Sequence, residues 1–202
     1  MTFMKKHAFK IAVIALCAAM GIYLWISSME KTAPLKVIEP APQFEMTDIN
    51  GDTVTLQDTD GKVRLFYFFF ASCPDVCPPT TAQLAEIQEK TKAEGTFGKD
   101  FVITSTTFDP VNDTPEKLRK YAENFDVDFS GWYFLRDTEE KARKMAKDFK
   151  LIIYQDKDGQ FSHANYIFLV DKKGQIRRYI EPLEKMDVNE VVRDINRLIK
   201  EK

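Results

Sequence analysis

The chain has 202 residues, 44% of them hydrophobic, which is enough for one compact domain with a sizeable core plus a short extra segment. Its 29 basic residues nearly balance 31 acidic ones, and no basic stripe is present that would neutralise a run of phosphates, so nucleic-acid binding is disfavoured.

The first segment reads as a membrane anchor. Lys5, Lys6 and Lys10 precede a run from Ile11 to Met29 that holds no charged residue. Those 19 residues would span roughly 28 Å as a helix, close to the hydrocarbon thickness of a bilayer. Tyr23 and Trp25 stand near the far end, where amphipathic aromatics favour the interface. The leading lysines keep the amino terminus on the cytoplasmic side and put the rest of the chain outside. A cleaved signal peptide competes with this reading, but no small-x-small cleavage site follows the apolar run. Cys17, preceded by Ile14, Ala15 and Leu16, faintly resembles a lipoprotein processing site, yet Leu16 stands where a small residue is normal; Cys17 reads as an ordinary buried apolar residue. The expected division is a basic tail over 1–10, an anchor over 11–29, a linker over 30–37 and a domain over 38–202.

From Glu30 to Pro42 the chain is polar with Pro34, Pro40 and Pro42, which favours an extended tether. Apolar residues then flank Asn50-Gly51, a dipeptide suited to the positive φ angles of a tight hairpin turn. Val63 to Phe70 (VRLFYFFF) is almost continuously apolar, as a central strand covered on both faces should be. It ends at Ala71-Ser72-Cys73, after which Pro78 and Pro79 suit the first turn of a helix running to about Lys92. A second strand is expected from Phe101 to Phe108. Asp113-Thr114-Pro115-Glu116 then offers an N-cap, an early proline and an acidic first turn for a helix to Asn124. Trp132 to Leu135 reads as a short strand and Thr138 to Phe149 as a helix. Tyr166 to Val170 with Ile176 to Ile180 read as a hairpin, and Asp187 to Lys200 as an amphipathic helix. Strands alternating with helices imply an α/β domain with right-handed crossovers, and a thioredoxin-like order with an amino-terminal β-hairpin fits it.

In open α/β sheets function gathers beyond the carboxyl ends of the strands, and Cys73 to Cys77 (CPDVC) sits there on the central strand. Two cysteines four apart in a helical turn share a face, with alpha carbons about 6 Å apart, which permits a disulfide or shared metal ligation. A nearby helix N-terminus should lower their pKa values. Apart from His7 before the anchor, His163 is the chain's one imidazole, just ahead of a predicted strand. A lone histidine is more often a surface or core residue than a ligand, but in a thioredoxin-like layout this one lies beside the cysteine pair. Two thiolates and one imidazole suit copper(I), and copper(II) with an added water or carboxylate. Zinc would accept them too, although a structural zinc site has four protein ligands and no further cysteine or histidine is available in the exported domain. HExxH, a Walker phosphate loop and GxSxG are all absent.

Four blocks resemble the Sco/SenC family, copper-binding proteins that help assemble the copper centre of cytochrome oxidase. They are CPDVCP at Cys73 to Pro78, FDPVNDTPEKLRKYAENF at Phe108 to Phe125, WYFLRD, and SHANYIFLVDKKGQI. The resemblance implies a single copper ion, Cu(I) or Cu(II), held by Cys73, Cys77 and His163. Asp75 and Asp109 are candidates for tuning the site, Asp75 reading more simply as an exposed turn acid. Pro79 departs from the family, which more usually has a hydroxyl residue there, and Ser72 precedes the first cysteine; neither removes a ligand. The implied partners are the copper-binding subunit of cytochrome c oxidase and other copper chaperones. The function implied is a metallochaperone, which is not an enzyme in the strict sense. A thiol-disulfide oxidoreductase acting on the oxidase subunit through Cys73 or Cys77 is the alternative, and a copper or redox sensor a third. Ordinary thioredoxin-like reductases carry CxxC and a cis-proline facing it, whereas no proline lies between Pro115 and Pro182 here.

Overall fold

The structure is a computed structural model that describes residues 2–32, 34–151, 153–155, 161–163 and 165–201, the side chains of 2–6, 8, 24–32, 154–155 and 161–163 lying outside it. The chain forms two units, Met1–Leu35 and Lys36–Lys202.

The first unit is one helix, α1 (Thr2–Thr32). Alanine and unbranched or γ-branched residues in its middle favour that state. Phe9, Ile14, Leu16, Met20 and Tyr23 all stand exposed, and so does Cys17, contrary to its reading as a buried residue: no described residue of this unit covers it. Among the described residues no helix is long and apolar enough to cross a membrane. Described side chains in α1 end at Tyr23, before the uncharged run itself ends. The helix also carries on through Thr32, so the extended tether does not start at Glu30.

The second unit is an α/β layer structure. Its strands are β1 (Glu39–Pro40), β2 (Glu45–Asp48), β3 (Thr53–Thr55), β4 (Val63–Phe69), β5 (Phe101–Thr107), β6 (Trp132–Arg136), β7 (Ile153–Gln155), β8 (Phe161–His163), β9 (Ile167–Val170) and β10 (Gln175–Ile180). Its helices are α2 (Cys77–Ala93), α3 (Pro115–Glu123), α4 (Glu139–Asp148) and α5 (Val188–Lys200). Eight strands form one sheet in the order β1-β10-β9-β4-β5-β6-β2-β3, and β7 pairs with β8 apart from it. β4, β5 and β6 are parallel and joined by α2 and α3, while β9 lies antiparallel to β4 with β10 beyond it.

Every residue of β4 is buried, as the apolar run requires. Alternation along the strand divides its side chains between two cores. Phe66 and Phe68 face a core with Met46, Phe108, Leu135, Met145 and Phe168, in which the Phe149 ring lies 5.2 Å from Phe66 and 5.0 Å from Phe168. On the other face Phe69 meets Tyr121 of α3 at 5.3 Å and Phe134 at 5.6 Å. Burial of Val188, Val191, Val192, Ile195 and Leu198 gives α5 a continuous apolar stripe.

Helix starts follow the expected caps. Thr114, Thr138 and Asp187 each accept a backbone N–H from the first turn of α3, α4 and α5. The β2–β3 hairpin exists, but not as a two-residue turn at Asn50-Gly51. Glu45 pairs with Thr55 and Thr47 with Thr53, leaving a longer loop in which Asp48 Oδ1 accepts from Asn50 N and Asp52 N. Only Gly51 has positive φ, at 92°; the Asp48 side chain supplies the turn that Asn50 was expected to make.

Candidate metal centre

Strand β4 delivers the chain to the cysteine motif, and two anchors hold the connection in place. Cys73 N donates to Phe70 O at 3.2 Å. Asp113, fully buried, accepts from Ala71 N at 2.9 Å and from Thr107 Oγ1 at 2.6 Å through the same oxygen. Its other oxygen faces the Lys117 ammonium at 2.9 Å, and that ammonium also donates to Ser72 Oγ at 2.6 Å. A carboxylate expected only to help start a helix therefore braces the loop that presents Cys73. Its signal in the sequence was masked by Thr114, which is the true cap.

Cys73 and Cys77 are both free thiols and both buried, Cys73 at 7% exposure and Cys77 at none. Cys77 opens α2, and its backbone N–H points at Cys73 Sγ, 3.4 Å away. The two sulfurs therefore share one small volume, with Cys73 outermost. The expectation that the helix N-terminus lowers both pKa values fails at Cys77: burial pushes its thiol up to about 12, against the pull of hydrogen bonding at Phe70. Taking a thiolate out of water outweighs the helix dipole there.

Beneath Cys77 lies Tyr67. Its ring stacks on Phe69 at 6.0 Å, and its hydroxyl is directed at the side chains of Cys77 and Thr80. That hydroxyl is buried and completes no hydrogen bond among the described residues. Desolvation and the neighbouring Cys77 raise its pKa well above the ordinary phenol value.

His163 ends β8, opposite Ile153, and its side chain lies outside the described residues. Two residues on, Asn165 donates from Nδ2 to Thr80 Oγ1 at 3.2 Å, which ties the segment after His163 to the first turn of α2. Among the described residues no three His, Cys, Asp or Glu gather as a metal-holding group. Asp75 is exposed, in keeping with a turn acid. Asp109 accepts from Asn112 Nδ2 at 3.0 Å and so closes its own turn. Beside the motif a groove of about 570 Å³ runs between Val76, Pro79 and Tyr166 on one side and Pro182 and Leu183 on the other. Leu183 has a φ of 66°, held by Gln83, which accepts from Leu183 N at 2.8 Å and donates to Leu183 O at 3.1 Å.

Two adjacent thiols in a dry pocket fit a soft, thiophilic metal ion, and they fit a reversible disulfide equally well. The SCO1/SenC family pattern matches residues 34–200. This chain belongs to the SCO1/SenC family. It is 31% identical over 161 residues to the SCO1 protein homolog of Bacillus subtilis strain 168, which covers 78% of this chain and 80% of that relative. The solved structure of BsSco, a member of the Sco family of cytochrome c oxidase assembly proteins in which a disulfide switch was identified, is 27% identical. It superposes with a TM-score of 0.73 and covers 84% of this chain and all of its own. ScoI of Bradyrhizobium japonicum, solved with copper bound, shares the fold at 24% identity and a TM-score of 0.68, covering 79% of this chain and 99% of its own. The family's architecture is thus the thioredoxin-like α/β arrangement that the strand order suggested.

Proposed function

We propose that this protein is a copper metallochaperone: it holds one copper ion through Cys73, Cys77 and His163 and passes it to the copper-binding subunit of cytochrome c oxidase. The observation that carries this reading is the paired, reduced thiols of Cys73 and Cys77 at the carboxyl end of β4. The tether from Asn165 to Thr80 supports His163 as third ligand, because it brings that segment to the helix turn that begins with Cys77. Copper in the B. japonicum relative and the assembly role of the family to which BsSco belongs support the cargo and the recipient.

Delivery follows from the ligand set. Three donors leave a coordination position for an incoming thiolate. Cys73, being outermost, is exchanged first, and the fully buried Cys77 is released last. No electron moves in this exchange; one thiolate replaces another at the metal.

The chain is anchored through α1 with the domain of residues 38–202 on the outer face of the membrane, residues 1–10 inside and 30–37 as linker. Exposed apolar side chains along α1 and the lysines that precede the uncharged run support this placement.

Titrating the reduced protein with copper(I) against a chromophoric competitor tests the reading. One ion per chain is expected, with affinity lost in Cys73→Ser and Cys77→Ser and reduced in His163→Ala. Unchanged affinity and stoichiometry in His163→Ala or Cys77→Ser would sink it. A second reading, reduction of the oxidase subunit's cysteines by the Cys73–Cys77 pair, draws on the closeness of the two sulfurs and on the disulfide switch of BsSco. Rapid thiol exchange with that subunit in the absence of copper would favour it.

A further inference from the structure

Tyr67 carries the one buried hydroxyl beside the thiol pair that has no hydrogen-bond partner among the described residues. It stands on β4, 1% exposed, on the face of the sheet that α2 covers. Proteins seldom bury a phenol without giving its O–H an acceptor, and a phenylalanine here would fill the same space. Among the described residues its hydroxyl is directed at Cys77 and Thr80, and Asn165 adjoins Thr80. Thr80 Oγ1 donates its hydrogen to Val76 O at 2.7 Å and accepts from Asn165 Nδ2 at 3.2 Å, and metal binding leaves its capacity as an acceptor unchanged. Asn165 Oδ1 is likewise buried and without a partner among the described residues, and its amide is held to Thr80. The Cys77 sulfur is the group whose acceptor strength depends on the metal. As a thiol it is a weak acceptor, whereas a thiolate, including one bound to a metal, is a strong one.

We propose that Tyr67 is a positioning residue of the metal centre, donating its hydroxyl hydrogen to Cys77 Sγ when that sulfur ligates the ion. This rests on the copper reading and adds to it a group that no ligand pattern includes. The bond would fix the direction of the Cys77 sulfur, draw electron density from it and offset the negative charge that the buried site must take up. Outer hydrogen bonds of this kind change metal affinity by about tenfold to a hundredfold. In the metal-free protein the same hydroxyl approaches Cys77 and Thr80 but completes no hydrogen bond among the described residues.

The test uses the full chain in detergent, as wild type and as Tyr67→Phe. Copper(I) affinity is measured by competition with a chromophoric chelator, the sulfur-to-copper charge-transfer band is recorded on the copper(II) form, and the metal-free proteins are melted. The expected result is an affinity about tenfold to a hundredfold lower in Tyr67→Phe, a shifted band, and a metal-free melting temperature unchanged or raised. An unaltered affinity with an unmoved band overturns the proposal while leaving the copper reading intact. A metal-free protein destabilised in parallel with the affinity loss also overturns it, since that pattern belongs to packing alone. A wild-type chain that takes up no copper overturns both.

Discussion

Cys77 keeps its proton far into the alkaline range, and this weakens the fold as pH rises. Its folded pKa of about 12 lies above the ordinary thiol value because burial disfavours the thiolate. Between the two values the unfolded chain has lost a proton that the folded chain retains, so the folded state is favoured less as pH rises. The contribution is whole below about pH 8.5 and is lost by about 12. Urea unfolding of the reduced, metal-free protein should therefore show a folding constant falling by up to tenfold per pH unit in that window. Cys77→Ser should flatten the fall; an equal slope in the variant would contradict the assignment. Tyr67 and Tyr121 are also pushed upward by burial, and their losses come later on the same scale. Spacing alone could show that Cys73 and Cys77 share a helical face, but not that Cys77 would be dry. Burial depends on Tyr67 of β4 and the Phe70 backbone meeting it from outside its own helix, and no local pattern records that. Asp113 was hidden for a related reason: its contact with Ala71 spans 42 positions in the chain.

Elements with strong local signals were readable from the sequence. β4 is apolar throughout, α3 and α4 open on threonine caps, and α5 has its apolar residues three and four apart. β1, β7 and β8 were not expected, because two or three residues are too few to show alternation and their pairing is set by distant partners. The segment around His163 is thus a small hairpin in its own right, where the sequence suggested only the approach to β9. A further tie between elements sits at Gly131, just ahead of β6. A Cβ there would lie 2.7 Å from Gly98 Cα and N and 2.8 Å from a ring carbon of Phe97. Gly98 is itself at a φ of 76°, so its backbone has little room to yield. Gly131→Ala should cost about 1–3 kcal/mol, read as a lower thermal midpoint, with copper binding per folded molecule unchanged. A midpoint equal to wild type would show that the two loops separate freely.

At the level of the whole molecule, the exposed apolar side chains of α1 and the mixed charge of the second unit call for different surroundings. Bilayer attachment predicts that the full chain sediments with membranes and stays there after an alkaline carbonate wash, with detergent required for release. Recovery in the wash supernatant would remove the anchor from the proposal. The sheet offers one more consequence. Its outermost strands are two and three residues long, and β1 ends in Pro40, which has no N–H to donate. Neither outermost strand can itself template another strand over any useful length. Molecules confined to a membrane plane meet repeatedly in the same orientation, the geometry in which a long open edge would link neighbours into ribbons. In the proposed membrane-anchored form, the blunt margins of this sheet would let copies crowd together in two dimensions and still part, leaving each thiol pair free to meet a different partner.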